Sequence, residues 1–131
     1  MNKNIVLFLV AYLLSSASLL SAELTPETFT QADIEAREVT NLGMADRLEL
    51  LSSGTVTIQE ENQLNSSTEQ MVQAVFDKYG TTQSDHLVYS EKNATVIAEF
   101  LEENPDYQTI YDSLNAQFSD ILNSIDAILA R

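Results

Sequence analysis

The chain has 131 residues, with 20 acidic side chains against 6 basic ones and a single histidine, for a formal net charge of −14. That balance argues against nucleic acid, whose phosphates are recognised by clustered Lys and Arg, and against anionic membrane surfaces. There is no cysteine, which excludes a lipidated N-terminal Cys, disulfides and thiol chemistry, so packing alone must hold a single domain of this length together.

The first 22 residues have the order of parts of a secretory signal peptide. Lys3 supplies the positive start, Ile5–Leu14 is an unbroken apolar run, and small residues lead to Ala22 before the first acid, Glu23. Cleavage is expected after Ala22, with Ala17 as the competing site. The alternative is an uncleaved anchor, because Ile5–Ala22 approaches the roughly 20 residues that span a bilayer. Residues 23–131 are then an exported acidic domain, secreted or periplasmic, and its lack of disulfides points to a bacterial source.

Thr25-Pro26-Glu27 reads as a helix start: an N-cap, Pro at the first helical position, and an acid near the positive end of the dipole. Phe29, Ala32, Ala36, Val39 and Leu42 keep one helical face, which Ala45, Leu48 and Leu51 continue. Gly43 within it marks a close helix contact or a bend, and Ser52-Ser53-Gly54 ends the helix. Thr55–Ile58 is β-branched and alternating, but lacks a convincing strand to pair with. It is taken as an extended approach to the next helix.

Gln59–Ser67 is polar and fits helix or loop. Capping-box patterns at Ser66/Glu69 and Ser67/Gln70 predict a helix from about Ser67, with Met71, Val72, Val75, Phe76 and Tyr79 inward and Gly80 as its stop. Ser84 is expected to cap one or two turns with Leu87 or Val88 turned inward. Ser90 or Asn93 caps a further helix with Val96, Ile97, Phe100 and Leu101 on its apolar face, stopped by Asn104-Pro105. Pro105 then opens the last helix, with a sharp corner between the two.

That last helix has the most regular pattern in the chain. Tyr107, Tyr111, Leu114, Phe118, Ile121, Ile125 and Ile128 alternate in steps of four and three, which places them on one side of a helix. The flanking positions hold no charged residue before Arg131, unlike a two-stranded zipper. The seam is therefore assigned to the protein's own core, in a monomer. The fold class is all-α: a small four- or five-helix antiparallel bundle. The alternative is a helical domain with a two-stranded element around Val56 and Val88.

Catalytic patterns are scarce. His86 follows Ser84 and Asp85 directly, which is not a nucleophile elbow, and the segment reads as surface or capping. No HExxH, Glu-x-x-His or calcium loop occurs, so no metal site and no cofactor are assigned. Glu60-Glu61 and Glu102-Glu103 with Asp106 leave only weak calcium binding open. Isolated glycines and dispersed basic residues supply no phosphate site. Arg37 and Arg47 are assigned to ion pairing with Asp33, Glu38 or neighbouring helices.

Without a catalytic residue to name, the expected role is binding, not catalysis. The first reading is a periplasmic or secreted interaction module for a protein partner with a basic surface, with no nucleic acid and no membrane after signal cleavage. The alternative is a carrier of a small apolar ligand within the bundle. Tyr79, Tyr89, Tyr107 and Tyr111 are the candidate groove residues, because tyrosine offers an apolar body with a polar tip.

Overall fold

The computed structural model describes residues 23–131; the expected signal peptide lies outside them. Those residues form five helices and no strand: α1 Pro26–Ser52, α2 Ile58–Lys78, α3 Gln83–Lys92, α4 Ala94–Glu103 and α5 Pro105–Leu129. The two-stranded alternative is thereby set aside. α1 is the central element and packs against α2, α4 and α5.

α1 starts where its sequence says it should. Thr25 accepts from the Thr28 amide at 3.1 Å and returns its own amide to the Thr28 hydroxyl at 2.8 Å, a reciprocal cap ahead of Pro26. After Ser52 the chain leaves through Gly54 at φ +98°, a left-handed conformation that favours glycine. The residues buried along α1 are Phe29, Thr30, Ala32, Ile34, Ala36 and Asn41. Their spacing of one, two and five does not describe a single stripe, because α1 is covered on more than one side. Ala36 and Val39 serve α2, where they pack with Val72, Val75, Phe76 and Tyr79. Asn41 serves α5, donating to the Leu114 carbonyl and to Gln117 Oε1, both at 3.0 Å. Leu42, expected inward, is 41% exposed.

The contacts fix the helix directions. Along α1 and α2 the partners run oppositely: Arg47 meets Glu61, and Glu35 meets Lys78. Along α1 and α5 they rise together: Gln31 with Tyr107, Asp33 with Tyr111, Arg37 with Asn115, and Asn41 with Gln117. The antiparallel expectation therefore holds for α1 and α2 but is corrected for α5, which runs parallel to α1. The cause is the connection. α2 ends near the N-terminal end of α1, and α3 and α4, ten residues each, are too short to carry the chain out and back along a helix of 27. They cross that end instead, so α5 begins there too.

Gly43 marks a close contact, one of the two expected alternatives. A Cβ at this position would overlap the Thr68 side chain of α2, whose hydroxyl is held by the Leu64 carbonyl at 3.0 Å. In an open helix Gly→Ala gains about 1 kcal/mol. Here Gly43→Ala should instead destabilise by about 1–3 kcal/mol through overpacking, and Thr68→Ala in the same chain should recover part of the loss in thermal denaturation.

α2 starts earlier than expected. Thr57 is its N-cap: the Glu60 amide donates to the Thr57 hydroxyl at 3.2 Å, and the Thr57 amide donates to Glu60 Oε2 at 2.8 Å. Those hydrogen bonds hold the Glu60 carboxyl below its usual range. Ser66 and Ser67 lie inside the helix, and Met71 is 50% exposed. At the other end the Thr81 amide reaches the Phe76 carbonyl at 3.0 Å, with Gly80 at φ +68°. This backbone pattern satisfies a terminal carbonyl.

α3 departs furthest from its expected register. Thr82, not Ser84, accepts from the Asp85 amide at 3.1 Å. The helix turns His86 inward, while Leu87 and Val88 are 58% and 41% exposed. α4 closes where Asn104 Nδ2 caps the Phe100 carbonyl at 2.8 Å. Phe100 then meets Tyr107 across the Pro105 corner at 5.6 Å between ring centroids. On α5, Leu114 and Ile125 are buried, whereas Ile110, Phe118, Leu122 and Leu129 are exposed. Its inward face is narrower than its apolar one.

Candidate functional site

Among the described residues the best-connected carboxylate is Asp33, on the third turn of α1. Its Oδ1 accepts from His86 Nε2 of α3 at 3.0 Å. Its Oδ2 accepts from Arg37 Nε, one turn along α1, and from the Tyr111 hydroxyl of α5, both at 2.9 Å. Arg37 extends the network, placing Nη1 3.3 Å from Asn115 Oδ1 and its guanidinium 5.3 Å from the centre of the Tyr111 ring. One carboxylate thus ties three helices together.

The electrostatics follow from this geometry. Burial pushes the Asp33 carboxyl up, but the hydrogen bonds from His86, Arg37 and Tyr111 and the charge of Arg37 outweigh it, so the group is held below its usual range. The Tyr111 hydroxyl is pushed up, first by burial and then by the adjacent Asp33 charge. His86 lies in an aromatic setting, stacked on Phe29 at 4.1 Å and tilted against Phe76 at 4.9 Å. Donation to Asp33 assigns a proton to Nε2. Nδ1 is buried and has no hydrogen-bond partner among the described residues.

A second carboxylate, Glu35, sits on another side of α1. Lys78 Nζ lies 2.9 and 3.0 Å from its two oxygens, and the Tyr79 hydroxyl also donates to it. Burial and Glu35 together push the Tyr79 hydroxyl up. Glu38 is raised as well, by burial first and by repulsion from Glu35 second. A carboxyl whose folded pKa is raised costs stability above that pKa, and the cost disappears as pH falls below its ordinary value of 4.5. Glu38→Gln is therefore expected to raise stability slightly at pH 7, by no more than about 0.5 kcal/mol given solvent screening, and to lose that advantage near pH 4, as read by thermal denaturation.

The four candidate tyrosines divide into two pairs. Tyr107 accepts from Gln31 Nε2 at 3.3 Å and Tyr79 donates to Glu35, so this pair meets residues one turn apart on α1. Tyr111 reaches Asp33, and Tyr89 stacks on Phe29 at 5.3 Å; these two partners are also one turn apart. Tyr107 and Tyr111 both reach α1 from one side of α5, one turn apart, whereas Tyr79 closes α2 and Tyr89 lies on α3. A depression of about 540 Å³ lies elsewhere, along the outer face of α2 between Ile58 and Gln70.

His86 is corrected from a surface or capping residue to a buried one. Its carboxylate partner comes from α1, not from Asp85, and both Ser84 and Asp85 are exposed. Both Asp33 oxygens and His86 Nε2 are already engaged, and among the described residues no Ser or Thr hydroxyl hydrogen-bonds to either side chain. The assignment of Arg37 and Arg47 to ion pairs is met: Arg37 with Asp33, and Arg47 with Glu61 of α2 at 3.0 Å. Sequence reading missed Asp33 as a hub. The available signal was its spacing of four from Arg37, which reveals one of its three partners.

Among the described residues no group of three or more His, Asp or Glu stands where it could hold a metal ion. Of the carboxylates considered for calcium, Glu60 is committed to its cap and Glu61 to Arg47. No described helix is long and apolar enough to cross a membrane. Compared with family models, with curated proteins and with solved structures, the chain matches none.

Proposed function

We propose that the chain is an exported interaction module that binds a protein partner through a basic surface on that partner and performs no catalysis of its own. The supporting observation is how its few cations are used. Arg37, Arg47 and Lys78 are each paired with a carboxylate of the same chain. The remaining acids apart from Glu38, including Asp106, Asp112, Asp120 and Asp126 along α5, are exposed with little to neutralise them. A surface of one sign steers an oppositely charged partner and repels copies of itself.

The test is affinity capture from an envelope fraction with the exported form of the chain, followed by direct binding of the purified captured protein. Association should weaken steeply with salt, and the bound face of the partner should be rich in Lys and Arg. Capture of nothing at low salt, or binding indifferent to salt, overturns the reading.

A further inference from the structure

We infer that the outer surface of α3 and α4 is the docking face, and that its occupant is a cationic amphipathic helix. This rests on the basic-partner reading above and supplies its location.

The carrying observation is an inversion in α3. The helix buries its histidine and turns two large apolar residues outward, Leu87 at 58% and Val88 at 41% exposure. An exposed leucine alone means little, but a buried polar residue beside exposed apolar ones is informative. The register is enforced from within, because His86 is held by Asp33 and by the rings of Phe29 and Phe76. Rotating α3 to hide Leu87 would break those contacts. α4, packed against α3, repeats the theme. It is the most apolar of the five helices, yet none of its residues is fully buried, and Val96 is 47% exposed.

Charge selects the occupant. Asp85 and Glu91 border Leu87 and Val88 on α3, and Glu99 and Glu103 lie three and seven residues beyond Val96 on the same side of α4; all four are exposed. The only Lys or Arg on either helix is Lys92. A second copy of the chain would bring the same carboxylates face to face, and an anionic bilayer would be repelled. An amphipathic helix with an apolar stripe and flanking Lys or Arg satisfies both features, and this mode of recognition needs only a few anchors at helical spacing.

The experiment uses two designed peptides of equal Lys content, one with Leu at helical spacing and one with Ser at those positions, and a third with Glu in place of Lys. Binding is measured at about 0.15 M salt, where exposed charges more than about 8 Å apart are largely screened. The Lys/Leu peptide should bind about tenfold or more tighter than either other peptide. The variant Leu87→Ser/Val88→Ser, which alters exposed positions and whose fold is checked by circular dichroism, should lose that margin. Ile58→Ser, at a 78% exposed position on α2, should keep it. If both Lys peptides bind equally and Leu87→Ser/Val88→Ser changes nothing, the docking face is wrong while the basic-partner reading stands. If no peptide binds, the docking face falls, and the low-salt capture decides the basic-partner reading. Equal binding of the Glu peptide, or a dimer dissolved by Leu87→Ser/Val88→Ser, overturns the choice of occupant.

Discussion

Asp33→Ala is expected to lower stability by about 2–4 kcal/mol at neutral pH. The loss of one carboxylate leaves three donors without their acceptor: His86 Nε2, the Tyr111 hydroxyl and Arg37 Nε. His86 is enclosed by aromatic rings and cannot turn to water. Tyr111→Phe removes one of the three bonds and keeps the ring, so it should cost about 1 kcal/mol. Because both changes act on one network, the double variant should lose less than the sum of the two.

The same residue sets a pH dependence with a definite sign. The folded Asp33 carboxyl is held below its ordinary value of 3.8. Its stabilisation is complete above that value and is lost as pH falls through the lower, folded one. Urea denaturation should therefore show the Asp33→Ala penalty constant from pH 7 to about 5 and shrinking only in strong acid. A penalty that shrinks between pH 7 and 5 would mean that another group, and not the Asp33 carboxyl, governs the network.

Chain-local signals were legible and chain-distant ones were not. Thr25-Pro26 capped α1, Gly80 ended α2 and Pro105 opened α5, because each acts on backbone within a turn of itself. Gly43 was readable as a close contact or a bend, because a helix interior tolerates glycine only at a cost, and the Thr68 side chain decides for the contact. Where two local signals competed, the choice needed tertiary structure. Thr57/Glu60 and Ser66/Glu69 carry the same capping pattern, and the contacts of Glu61 with Arg47 and of Thr68 with Gly43 hold the earlier turns of α2 against α1.

The register of α3 shows the limit most clearly. By hydrophobicity, Leu87 and Val88 belong inside and His86 outside. The structure reverses this because Asp33, more than 50 residues earlier, lies where His86 can pair with it. No periodicity within ten residues encodes a partner on another helix. The parallel run of α1 and α5 was hidden in the same way. Short loops suggest antiparallel neighbours, and each consecutive turn is indeed tight. The direction of α5 relative to α1 depends on how two short helices cross a bundle end. The candidate tyrosines were recognised by residue type, whereas their individual partners on α1 follow from that topology.

Ile125→Ala is expected to cost about 2–5 kcal/mol, and Leu129→Ala, one turn further along the same helix, less than about 0.5 kcal/mol. Both are aliphatic, and both lie on the apolar side of α5. They differ in cover: Ile125 is 1% exposed and Leu129 59%. Truncating Ile125 leaves a cavity in the interior, whereas Leu129 already faces solvent at the last turn. Urea denaturation measures the two costs, and sedimentation of the same samples gives the second half of the argument. If the apolar side of α5 were a seam between copies, Leu129 and its exposed neighbours Phe118 and Leu122 would carry the association, and changing them would alter the oligomer. A monomer core predicts the reverse: Ile125→Ala unfolds the chain more readily while its assembly state stays unchanged. Ile125→Ala with intact stability and altered sedimentation would move the partner of α5 from α1 to another molecule.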